Sequence, residues 1–198
     1  MINPTHIDEQ VTLLRDVEVI TIPFGSKTNL KKGETGQITQ ALGGSYTVMI
    51  GGNLFRIDGN DADAIGKEKP EPAQKSNDIN DSEIDEKAVW DVMKTCYDPE
   101  IPVNIVDLGL IYSCEFETKE NGDKLVDIKM TLTAPGCGMG PVIADEVKQK
   151  VKNVQGVDEI NLELVWDPPW DQSMISEAAI SFRFTLIFCR YLLAPVAK

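Results

Sequence analysis

Histidine is almost missing from this 198-residue chain: the single copy, His6, falls in the N-terminal tail. The side chain most used for general acid–base chemistry near neutral pH is therefore out of play, which weakens hydrolase functions. Cysteine is scarce as well. Its four copies, Cys96, Cys114, Cys137 and Cys189, include no CxxC pair, so a self-contained zinc site is not expected. No glycine-rich phosphate loop and no basic aromatic patch is present, which speaks against nucleotide and RNA binding. The start Met1-Ile2-Asn3-Pro4-Thr5-His6 has neither the basic opening nor the apolar core of a secretion signal. The expected location is a reducing cytoplasm, with the thiols free. Positive charge is the last shortage. The net charge is −13, and residues 70–179 hold 23 acids against 9 bases. Such a region repels phosphate backbones and anionic lipid, so nucleic-acid and membrane-surface partners are not expected; a protein with a basic face fits better.

With 42% hydrophobic content the chain has material for a sizeable core. Residues 1–66 carry short alternating runs, Val17 to Ile22, Gly36 to Ala41, Tyr46 to Ile50 and Leu54 to Ile57, punctuated by glycines. This predicts a small β-barrel or β-meander, with Gly51-Gly52 supplying a tight hairpin turn. Residues 67–81, with Pro70 and Pro72 and little to bury, read as a linker. A second domain is expected over 82–179. Ser82 would cap a helix, with Ile84, Ala88, Val92 and Cys96 on its apolar side. Leu110, Tyr112, Cys114 and Phe116 alternate as one strand, Val126, Ile128, Met130 and Leu132 as the next, and Asn121-Gly122 turns between them. A helix follows from about Pro141, with Ile143, Val147, Val151 and Val154 buried and Gly156 at its end. Ile160, Leu162, Leu164 and Trp166 mark a third strand. The overall class is α+β, with the second domain an α/β sandwich of order α-β-β-α-β. Residues 180–198 form an atypical apolar tail, broken by Arg183 and Arg190 and too short to span a bilayer.

That topology predicts where chemistry gathers. A strand–helix–strand crossover makes the second and third strands parallel, so three irregular segments should meet at one edge: Asp98 to Gly109, Ala134 to Gly140, and Asp167 to Asp171. Cys137 is the sharpest candidate, framed by Thr133, Gly136 and Gly138 just ahead of a helix whose free N–H groups favour thiolate over thiol. Thiolates bind soft metals and attack electrophiles, and a small turn residue packed under the helix would look the same. Asp98, Glu100 and Asp107 lie in an unusually long helix-to-strand connection, where they can contact a metal, shape the thiol's field or simply build turns. Asp167 and Trp170 beside a diproline suit a partner surface, and Trp166 suits a lid over the core. Cys96 and Cys114 fall on apolar faces and read as core.

The segments Asp98-Pro99-Glu100-Ile101-Pro102, Asp107-Leu108-Gly109-Leu110-Ile111-Tyr112, Thr131 to Gly138, Gly156-Val157 and Asp167-Pro168-Pro169-Trp170 together resemble the MIP-type, metal–sulfur cluster biosynthesis family. That family includes SufT, PaaD and domains fused to Mrp-type ATPases; the preceding glycine-rich β segment, with Pro141-Val142-Ile143-Ala144-Asp145 and Ser176-Glu177-Ala178-Ala179, makes the chain most similar to its SufT-like members. The resemblance covers about residues 82–179. It implies an accessory factor, not an enzyme, in iron–sulfur cluster assembly or delivery, with Cys137 as the reactive thiol and Asp98 and Glu100 near it. The implied partners are assembly proteins and client apoproteins, or a second copy of the chain. Since a [2Fe–2S] or [4Fe–4S] cluster normally takes four protein ligands, a cluster held through Cys137 would have to be shared or transient. The alternatives are a thiol-dependent enzyme, a PaaD-like oxygenase-complex subunit, or a metal-free adaptor.

Overall fold

The computed structural model describes residues 9–69 and 84–181. His6, Ser82, Cys189, most of the expected linker and all but the first residues of the expected tail lie outside the described residues. In the first span, strands β1 (Glu9–Thr12), β2 (Val17–Ile22), β3 (Lys27–Leu30), β4 (Thr35–Leu42), β5 (Ser45–Ile50) and β6 (Asn53–Asp58) form one antiparallel sheet of order β1-β4-β5-β6-β2-β3. β4, β5 and β6 are a meander, and Gly51 and Gly52 take φ of +59° and +82° at the β5–β6 turn, as a two-residue hairpin of this kind requires. β1 and β3 have too little apolar content to stand out in the sequence; their backbone pairing at the two ends of the sheet defines them. Val19, Ile38, Val48 and Ile57 lie at the centre of this sheet's core.

The second span contains α1 (Glu86–Met93), β7 (Ile111–Thr118), β8 (Lys124–Met130), α2 (Gly140–Lys152), β9 (Glu159–Leu164) and α3 (Glu177–Ser181). Its sheet runs β7-β8-β9, antiparallel then parallel. Val126, Ile128 and Met130 of β8 are fully buried beneath Ile143, Val147 and Val151 of α2, the stripe that the 3.6-residue period predicts.

Two local expectations are corrected. The cap of α1 is Asp85, whose carboxylate accepts the N–H of Ala88, and the buried residues are Val89, Met93 and Cys96, not Ile84, Ala88 and Val92. Steps of four overshoot a helical turn by about 40° each, so a run of them drifts off the core, whereas a +4,+3 pattern stays on it. In β7 a bulge sets Ile111 opposite Met130 and Ser113 opposite Lys129. Ile111, Cys114 and Phe116 therefore pack toward the core, and Tyr112 is the extra residue, turned to donate its hydroxyl to the Pro168 carbonyl at 2.8 Å.

The two sheets are in contact. Ile22, with Ile20 and Leu54 beside it, joins the core of the second span. Arg56 of β6 pairs with Glu146 of α2, their side chains only 9% and 12% exposed. Lys150 binds the same carboxylate at 2.8 Å and donates to the carbonyls of Gly43 and Thr95, both at 2.8 Å. Among the described residues no helix is long and apolar enough to cross a membrane.

Candidate functional site

β8 ends at Met130, and the chain turns through Thr133 to Gly138 before α2 begins at Gly140. Gly136 has φ of +79° with open space around it, so glycine serves the turn itself. Gly138 serves a close approach: a Cβ there would lie 2.5 Å from the carbonyl oxygen of Phe24, in the β2–β3 turn. Between them Cys137 sits half-buried in an open pocket of about 530 Å³, lined by Pro23, Phe24, Asp98, Glu100, Ile101 and the loop from Thr133 to Gly138.

Asp98 is buried, and one carboxylate oxygen accepts the backbone N–H groups of Glu100 (2.8 Å) and Ile101 (3.2 Å), which folds the acidic loop back on itself. The same loop is held from outside: Gln40 of β4 donates to the Asp98 carbonyl at 3.2 Å, and Thr47 of β5 to the Pro99 carbonyl at 3.3 Å. Burial raises the pKa of Asp98 above the usual carboxylate range. Glu100, on the rim, is raised by desolvation and then by the charge of Asp98.

The helix entrance is not the largest influence on the thiol. Burial is the largest influence on Cys137 and pushes its pKa up; the backbone N–H of Met139, and less so that of Gly140, pulls it down; Asp98 and Glu100 push it up again. The net direction is upward. The helix entrance acts in the expected sense but is outweighed by desolvation and two carboxylates. Cys96 is buried in the core and Cys114 packs half-buried against it; burial raises the two thiols to about 12 and about 11. Among the described residues no group of three or more His, Cys, Asp and Glu side chains is arranged to hold a metal.

Residues 86–162 match the family described as "Iron-sulfur cluster assembly protein". A Fe-S protein maturation auxiliary factor of Porphyromonas gingivalis is 41% identical over 95 residues, which cover 48% of this chain and 87% of that protein. The chain belongs to this family, among its SufT-like members. The Fe-S protein maturation auxiliary factor SufT of Staphylococcus aureus is 40% identical over 82 residues, 41% of this chain and 89% of that protein. A crystal structure of a domain of unknown function, DUF59, from Bacillus anthracis is 36% identical, with a TM-score of 0.42, covering 48% of this chain and 88% of that one.

In this SufT-like assembly protein, two of the three segments expected at the pocket are there, and the third is not. Asp98, Glu100, Thr133, Gly136 and Gly138 surround Cys137, whereas Asp107, Asp167 and Trp170 do not line the pocket. Asp107 accepts from Asn104 at 2.6 Å and from the Ser176 hydroxyl at 3.0 Å, which ties the Asp98–Gly109 connection to the start of α3. Trp170 is half-buried against the core, its indole N–H donating to the Leu108 carbonyl at 2.8 Å, while Trp166 is 45% exposed, more than a lid over the core would be. Asp167 is exposed. The third wall comes instead from Pro23 and Phe24, more than a hundred residues away in sequence. The only hint of it was the phenylalanine in Ile22-Pro23-Phe24-Gly25, an aromatic set in a turn where nothing local would bury it.

Proposed function

We propose that this chain is an accessory factor in iron–sulfur cluster assembly or in delivery of clusters to client apoproteins, acting through the thiol of Cys137 and not as an enzyme. One juxtaposition, in a chain of this family, supports the reading: a half-buried thiol facing an open pocket, with Asp98 and Glu100 as its charged neighbours. Sulfur is the donor that iron in clusters takes, and the cluster here is cargo. A single cysteine leaves most of a cluster's ligand positions to others, so the cargo is shared with an assembly protein, a client or a second copy of the chain. The upward shift of the thiol fits a hold that is meant to be brief. Ligation must expel the proton that the site retains, which lowers affinity at neutral pH and eases release. The same shift disfavours a nucleophilic enzyme, which needs thiolate in the resting state.

The reading is tested by mixing the purified protein anaerobically with ferrous iron and sulfide and comparing wild type with Cys137→Ser by iron and sulfide analysis and visible absorption. Cluster absorption that requires Cys137 is expected. Equal uptake by both proteins would overturn it.

A further inference from the structure

The family match covers residues 86–162 and leaves the N-terminal sheet with no assigned part. We propose that Phe24 is an access-determining residue of the Cys137 site: the N-terminal sheet supplies one wall of the pocket, and that wall admits small molecules to the sulfur while turning away bulky ones. The inference deepens the function proposed above and rests on Cys137 being the working group.

Three observations carry it. First, the β2–β3 turn lies directly on the thiol loop, backbone against backbone. A Cβ on Gly25 would fall 2.0 Å from the Gly138 carbonyl oxygen, and one on Gly138 would fall 2.5 Å from that of Phe24 and 2.7 Å from that of Pro23. Glycine on both sides is what lets the turn reach the residue next to Cys137. Second, the sheet that carries the turn is tied to the rest of the site. Its sheet is held to the opposite wall by Gln40 and Thr47 on the Asp98–Pro99 carbonyls, and to α2 by the Arg56–Glu146 pair. One sheet thus touches both loops that form the pocket. Third, Phe24 is 75% exposed, more than any other large apolar side chain among the described residues, and with Pro23 it lines the rim. A lone exposed apolar residue is ordinary on a surface. Here it is held by its own backbone contacts beside a functional thiol. A pocket of about 530 Å³ holds a small solute or a projecting side chain, and a flat protein surface cannot reach its floor.

The test uses the full chain and reads modification of Cys137 by peptide-resolved mass spectrometry, so that the other cysteines are counted apart. Each protein is treated with iodoacetamide and, separately, with a maleimide carrying a polyethylene glycol chain. The quantity of interest is each variant's ratio of bulky to small rate relative to wild type, which cancels any change in thiolate fraction. Because reaction at a thiol follows its exposure, Phe24→Ala is expected to raise the ratio about threefold or more and Phe24→Trp to lower it. Phe24 is mostly solvent-exposed, so both variants should keep the wild-type thermal midpoint. A ratio unchanged in both variants, or parallel acceleration of both reagents, would overturn the proposal. Failure here is separable from failure of the functional reading, because the ratio needs neither iron nor a client protein.

Discussion

Replacing Glu146 with alanine is expected to lower the stability of the chain by about 3–5 kcal/mol, the usual cost of leaving one partner of a buried ion pair behind. Glu146 accepts from Arg56 across the contact between the two sheets and from Lys150 one turn along α2. Without it, the guanidinium of Arg56, on a side chain only 9% exposed, loses the counter-charge recorded for it. Lys150 fares better, since it still donates to the carbonyls of Gly43 and Thr95. The loss concerns the broken pair and does not mean that the intact pair adds that much over an apolar one. Urea unfolding measures it, with Lys87→Ala as the comparison. Lys87 pairs with Asp91 on an exposed helix face, their side chains 83% and 51% exposed, and its removal should leave the unfolding midpoint almost unchanged. Equal, small effects of the two substitutions would mean that the sheets do not pack through α2 as described.

The alkylation rate of Cys137 should climb about tenfold per pH unit from pH 7 and keep rising past pH 9, because only thiolate reacts and the site raises the thiol's pKa above that of an ordinary cysteine. The sign follows from the order of causes. Burial removes water from the would-be thiolate, the N–H groups of Met139 and Gly140 compensate in part, and Asp98 and Glu100 add like charge. Asp98→Asn separates these effects. The amide oxygen can still accept the N–H groups of Glu100 and Ile101, so the loop keeps its turn while the charge disappears. The whole pH–rate profile is then expected to move to lower pH, with a faster reaction at pH 8. A profile that stays in place or moves up would show that the carboxylate does not act on the thiol through its field.

Much of this architecture was legible in the sequence because it is periodic or local. The buried stripe of α2, the alternation along β8, the Gly51-Gly52 turn and the place of Cys137 between a strand end and a helix start all follow from spacing alone. What escaped depends on contacts that have no local period. The bulge at Tyr112 breaks the alternation of β7 because the residue is drawn to the Pro168 carbonyl, 56 positions on. Pro23 and Phe24 reach the thiol loop through glycine backbones, which leave no side-chain pattern to read. The net direction of the thiol's shift is not legible in spacing, for an energetic reason. A helix entrance is visible in sequence, but the burial that outweighs it and the approach of Asp98 and Glu100 are products of folding.

The central claim is that cluster maturation depends on the sulfur of Cys137. The most direct measurement compares cells in which this chain is wild type with cells carrying Cys137→Ser, assaying cluster-dependent enzymes under high cluster demand at equal levels of the two proteins. Enzyme activity should fall in the serine cells toward that of cells lacking the protein. Activity equal to wild type would contradict the account.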